Sequence, residues 1–137
     1  MNATRLPFVA VALVCASLGV YLAVSSHGES RLDHANAHLL AGRDVAALAE
    51  LDGLDGETAL RAAALRGRAL RNSGRLEAAR KELQTAARRD PNSWLLQREY
   101  AEVLLALGHR AKARARMSRA KALNPRMALP PGFVERR

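Results

Sequence analysis

Pro91 and Pro125 stand thirty-four residues apart, and the residues ahead of each repeat in step with them. Under that offset Gly67 falls on Ala101, Leu70 on Leu104 and Gly74 on Gly108. Ala79 falls on Ala113, Leu83 on Met117, Ala86 on Ala120 and Asp90 on Asn124. Proline cannot continue a helix, and it pushes the residue before it out of the α region. Glycine just past a run of helical spacing favours a left-handed stop. Between these breakers Leu60, Ala63, Gly67 and Leu70, and again Ala79, Leu83 and Ala86, follow helical spacing. The chain is thus cut at fixed intervals into pairs of short helices, with small residues placed where two helices pack closely. A fixed period of this size is the mark of a repeat architecture.

Composition agrees. Apolar residues make up 49% of the 137 residues but aromatics only 4%, so the apolar share is mostly alanine and leucine, strong helix formers. The expected fold class is all-α: an N-terminal transmembrane helix followed by a short α-solenoid of helix–turn–helix repeats. Helices are expected near 29–41, 44–52, 58–72, 76–88, 92–106 and 110–123, with Asn92 or Ser93 capping the fifth.

The two in-phase sets, Gly67/Leu70/Gly74/Ala79/Leu83/Ala86/Pro91 and Ala101/Leu104/Gly108/Ala113/Met117/Ala120/Pro125, resemble the tetratricopeptide repeat family, with its 34-residue helix–turn–helix unit. The resemblance covers about half of the chain. It implies a protein-binding scaffold in which the first helix of each pair lines a concave face. The matching positions are Arg61, Ala64, Arg68, Arg71 and Asn72 in one unit, and Leu95, Arg98, Glu102, Leu105 and Ala106 in the next. They imply a mostly basic groove with an apolar patch, suited to an acidic peptide or a C-terminal carboxylate held by bidentate arginine pairs. The carboxylate-clamp variety of the family wants Lys and Asn at Ala64 and Arg68 and Asn at Glu99, so this chain departs from it.

Upstream, Leu39-Leu40-Ala41-Gly42, Ala46-Ala47 and Leu51 look like a degenerate first unit. Gly42 to Gly74 is two residues short of the period, and the stretch 51–56, LDGLDG, breaks the pattern without a closing proline. The organisation expected is an anchor over 1–26, a polar linker and degenerate first unit over 27–57, two repeats over 58–125, and a proline-containing tail over 126–137. Two good units and one poor one make a marginal array, since solenoids need about three. The membrane span, a homodimer or a partner would complete it. The tail either packs extended on the last helix pair, with Phe133 as its anchor, or serves as a partner-binding peptide.

Residues 6–24 read LPFVAVALVCASLGVYLAV, without a charge. As a helix this run spans roughly 28 Å, close to the ~30 Å hydrocarbon core. Phe8 and Tyr21 lie near its ends, as interfacial aromatics do. An uncleaved signal anchor is expected. Cleavage near Ala23-Val24-Ser25 is the alternative, and Ala12-Leu13-Val14 before Cys15 makes a poor lipobox. Arg5 and the α-amino group precede the span, which favours a cytoplasmic N-terminus and a repeat domain outside the cytoplasm, the periplasm in a bacterium.

The net charge of +9 is uneven. Residues 31–60 hold two basic residues against six acidic ones, whereas residues 61–137 carry +13. The basic run from Arg110 to Lys121 spreads around its helix and lacks stacking aromatics, so solvation or anionic lipid is expected there and nucleic acid is not. Cys15 is the single cysteine, so no intramolecular disulfide forms. His34 and His38 share a helix face, but a metal site needs a third ligand and none is in sequence view. No phosphate loop, nucleophile elbow or catalytic arrangement is visible. No cofactor, metal or enzymatic activity is expected. The function expected is a membrane-anchored adaptor or scaffold in an envelope complex such as a secretion, translocation or maturation machinery. The alternative is a small structural subunit held mainly through its span, where Ala12/Ala16 and Cys15/Gly19 have small-xxx-small spacing.

Overall fold

The computed structural model describes residues 27–133. The 6–24 run, with its anchor, topology and helix-pairing expectations, lies outside the described residues. Among the described residues no helix is long and apolar enough to cross a membrane, and none lies in a strand. Six helices follow one another: α1 over 27–40, then α2 (Asp44–Leu51), α3 (Ala59–Asn72), α4 (Leu76–Arg89), α5 (Trp94–Ala106) and α6 (Arg110–Leu123), with short 3-10 turns at Gly56–Thr58 and Pro131–Phe133. They pair as three antiparallel hairpins, and the expected helix positions match closely. Residues 27 and 28 depart from expectation. They are helical and not a linker, with Gly28 buried against Thr58 at the start of the next hairpin.

All three hairpins turn in the same way. Gly42, Gly74 and Gly108 sit at φ 69°, 74° and 81°. The N–H of the following residue reaches back five positions in each case: Arg43 to the His38 carbonyl, Arg75 to Leu70 and His109 to Leu104, all at 2.8 Å. These are Schellman caps, which satisfy the last helix carbonyls and need glycine at the left-handed position. At the other end Asp90 and Asn124, each before a proline, have matching extended backbones (φ −128°, ψ 87° and φ −134°, ψ 87°). Their side chains accept the N–H of Asn92 at 3.0 Å and of Arg126 at 3.3 Å. Ser93 then caps α5 by accepting from Leu96 N. The array so acquires a glycine edge, at the three turns, and a proline edge, where α1, α3 and α5 begin and α2, α4 and α6 end.

Packing repeats with the sequence. Leu83 of α4 lies directly on Gly67 of α3, so close that a Cβ there would stand 2.5 Å from Leu83 Cγ. Met117 and Ala101 share a buried cluster in the last hairpin, as do Leu51 and Ala35 in the first. The first unit is therefore in phase, though short. α2 has 8 residues where α4 and α6 have 14. It stops at Asp52, whose backbone is extended, and Gly53 and Gly56 turn the chain back at positive φ. Leu54 and Leu65 pack against the buried Leu32–Leu51 cluster at this stop. This truncation explains the shortened first period. Many of the buried residues are alanines, among them Ala35, Ala47, Ala79, Ala101, Ala113 and Ala120, all at 0% exposure. Each brings little apolar area, so the core is thin and rests on close helix approach.

The tail packs on the last pair. Met127 is buried with Ala101, Met117 and Ala120, Lys121 Nζ donates to its carbonyl at 2.7 Å, and Phe133 packs on the neighbouring core.

Two substitutions probe this architecture. Gly67→Ala gains about 1 kcal/mol of helix propensity but overpacks against Leu83 at a cost near ~3 kcal/mol. Urea denaturation should show a net loss, and an equally stable variant would contradict the close approach. His38 occupies the place of Leu70 and Leu104 in the turn, and its Nδ1 is buried with no hydrogen-bond partner among the described residues. His38→Leu is expected to stabilise the fold by about 1–2 kcal/mol, seen as a raised denaturation midpoint.

Candidate partner-binding site

Residues 61, 68, 71 and 72 of α3, and 95, 98, 102 and 105 of α5, recur at helical spacing and place two neighbouring stripes on the odd-numbered helices. The structure uses them unequally. Arg61 is exposed and bonds Glu29 of α1 at 2.5 Å. Asn72 lies at the glycine edge and donates to Asp44 Oδ1 of α2 at 3.1 Å. Leu95 and Leu105 are half-buried against the main core. Gly132 sits on Leu105, where an added Cβ would be 2.5 Å from Leu105 Cδ2. Leu105 also lines a small cleft with Arg110, Arg114, Gly132 and Phe133. Ala64, a groove position by resemblance, is instead buried in the core at 1% exposure.

The centre of the site is a charge cluster between α3 and α5. Arg71 donates to Glu102 Oε2, and to Glu99 Oε2 at 3.3 Å. Arg98 Nε donates to Glu102 Oε1 at 3.1 Å. Arg68 stands near enough to act on Glu99 and makes no ion pair among the described residues. The groove is therefore not mostly basic: Arg61, Arg68, Arg71 and Arg98 stand against Glu29, Glu99 and Glu102. Arg71, 19% exposed at its side chain, ties one hairpin to the next. Such a pair with low exposure is costly to break from one side, by about 3–5 kcal/mol in buried cases.

Glu99 is the residue whose role the repeat pattern does not reveal. It is 4% exposed. Burial raises its pKa above the usual carboxylate range against the pull of Arg71, and the neighbouring Glu102 charge adds to the rise. A signal was present in the sequence: Arg68/Arg71 and Glu99/Glu102 are both i, i+3 pairs on adjacent first helices.

The basic run on α6 divides. Arg116 stacks over the Tyr100 ring, 5.2 Å from its centroid, and donates to Oε1 of the fully buried Gln97 at 3.1 Å. Gln97 Nε2 in turn donates to the Pro91 carbonyl at 3.2 Å, which also accepts from Arg119 at 3.0 Å. These cations close the fold, whereas Arg110, Lys112 and Arg114 are exposed. Among the described residues no group of three or more metal-ligating side chains gathers around His34 and His38.

A carboxyl whose folded pKa is raised binds more protons in the folded than in the unfolded chain. Its unfavourable contribution is thus absent below the unfolded pKa and grows as pH rises through the folded one. Glu99→Gln should accordingly be at least as stable as the parent at neutral pH. It should also flatten the stability profile just above the ordinary glutamate range, as followed by denaturant midpoints against pH. A variant that loses stability at neutral pH while the parent keeps no acid-side gain would oppose this reading.

No curated protein matches the chain. From the last residues of α3, through α4, α5 and α6, to the first residues of the tail, residues 70–128 match the family model of the tetratricopeptide repeat.

Proposed function

We propose that the chain is a membrane-anchored adaptor of an envelope complex, in which α3 and α5 hold a segment of a protein partner. Tetratricopeptide repeats imply a protein-interaction role in general. The observation that carries the finer reading is the division of labour on the odd helices. Arg71, Glu99 and Glu102 bind the hairpins together, while Arg61, Arg68, Leu95 and Arg98 remain at least partly open on the same stripe. Arg68, next to the buried Glu99, is the guanidinium best placed for a carboxylate of the partner. An acidic segment suits it and Arg61, with Leu95 as an apolar contact. The uncharged 6–24 run supports the single-span anchor, and the positive start of the chain supports a periplasmic repeat domain. Nothing in this reading calls for a cofactor or for catalysis.

The full chain, purified in mild detergent, should carry its partner with it. Arg61→Glu together with Arg68→Glu should lower recovery at least about tenfold, equivalent to about 1.4 kcal/mol, at unchanged thermal stability. Arg71 is unsuitable for this comparison because its reversal breaks the fold. A monodisperse, partner-free protein, or recovery untouched by the double reversal, would sink the proposal. In the second case, loss of recovery on Ala16→Leu and Gly19→Leu would identify the span as the main contact.

A further inference from the structure

The charge along the proline edge changes sign. Where α1, α2 and α3 meet, it carries Glu29, Glu50, Asp52 and Asp55 beside Arg31 and Arg61, and Arg31 and Arg61 are paired with Glu50 and Glu29. Around the α4–α5 turn it carries Arg88, Arg89, Arg119 and Arg126, all exposed. Contacts gather these last residues in one place. Arg119 donates to the carbonyl of Pro91, two residues past Arg89. Trp94 packs on the cluster that contains Met127, next to Arg126. The one carboxylate in this group, Asp90, is half-buried and spends an oxygen on the Asn92 N–H. Among the described residues Arg88, Arg89 and Arg126 make no ion pair. Trp94, half-buried at the same turn, is a side chain type that settles at membrane interfaces.

We propose that this basic corner of the proline edge rests on an anionic lipid surface. The inference depends on the anchor reading. If the span ends at Val24, three residues of chain can carry His27 no more than about 11 Å from it, so α1 starts beside the headgroups. The proline edge, which contains that start, is then the edge turned to the bilayer, and the glycine edge is a helix length away. Anionic headgroups attract the arginine corner and repel the Asp52–Asp55 loop. The array therefore leans on the membrane through its C-terminal half, which leaves the part of the α3–α5 stripe around Arg68 and Arg98, farther along both helices, free for a partner.

Trp94 is the only tryptophan of the chain and reports directly. The full chain is reconstituted into vesicles of phosphatidylcholine, alone or mixed with phosphatidylglycerol, containing a headgroup-nitroxide lipid. Trp94 quenching should be at least about twofold stronger with phosphatidylglycerol. It should fall to the phosphatidylcholine level at high salt and in the Arg88→Glu/Arg89→Glu/Arg126→Glu variant, whose circular dichroism stays that of the parent. Equal quenching in both vesicles, with the chain floating with them, overturns this inference and leaves the anchor standing. A triple variant quenched like the parent also overturns it. A chain that does not float with vesicles of either composition overturns the anchor and this inference together.

Discussion

Each hairpin buries a large side chain of its second helix together with a small residue of its first: Leu83 directly on Gly67, and Leu51 with Ala35 and Met117 with Ala101 in shared clusters. Much else depends on this contact. Because the core is rich in alanine, apolar area alone contributes modestly, at about 25 cal/mol per Å². Stability comes from bringing backbones near enough for short side chains to fill the space between them. The small residue sets the spacing of the helices, the spacing sets which residues of neighbouring hairpins can touch, and the turns must return the chain in the same register each time. The three Schellman caps do so with the same hydrogen bonds in all three units.

Electrostatics then acts across hairpins. Arg71 joins α3 to α5 through two glutamates, and the cost of that arrangement falls on Glu99, which is buried and disfavoured as an anion. The same cluster limits what a partner can use. An incoming carboxylate finds Arg71 and Arg98 already engaged with Glu102 and Arg61 with the exposed Glu29, whereas Arg68 makes no ion pair among the described residues. Stability and the proposed recognition thus share one stripe, with Arg71 given to the first and Arg68 to the second.

The fold was legible to a large degree for a physical reason. Its signals are local: glycine at the left-handed cap, proline after the second helix, small and large residues at helical spacing. Even the imperfect first unit was visible through Gly42, Ala47 and Leu51, and its two-residue deficit corresponds to the early stop of α2. The start of α1 at residues 27 and 28 reads as part of a linker because His27 and Gly28 suggest a loop. What makes it helical is non-local, the burial of Gly28 against Thr58. The candidate site was less legible. Spacing placed Arg61, Arg68, Arg71 and Arg98 on one side of their helices, but it carries no information on which charge meets which across hairpins. A groove counted as basic from one helix at a time is largely compensated once α1 and α5 lie beside α3.

Local sequence signals set where the helices lie, how they pair and at what period, because these follow from backbone constraints within a few residues of each glycine and proline. Packing between hairpins makes Arg71 a structural tie and Glu99 its buried partner, puts Ala64 in the core, and closes the tail over Met117 and Leu105. Those outcomes depend on distances between residues far apart in the chain, which are set by the small-on-large contact and not by any local pattern.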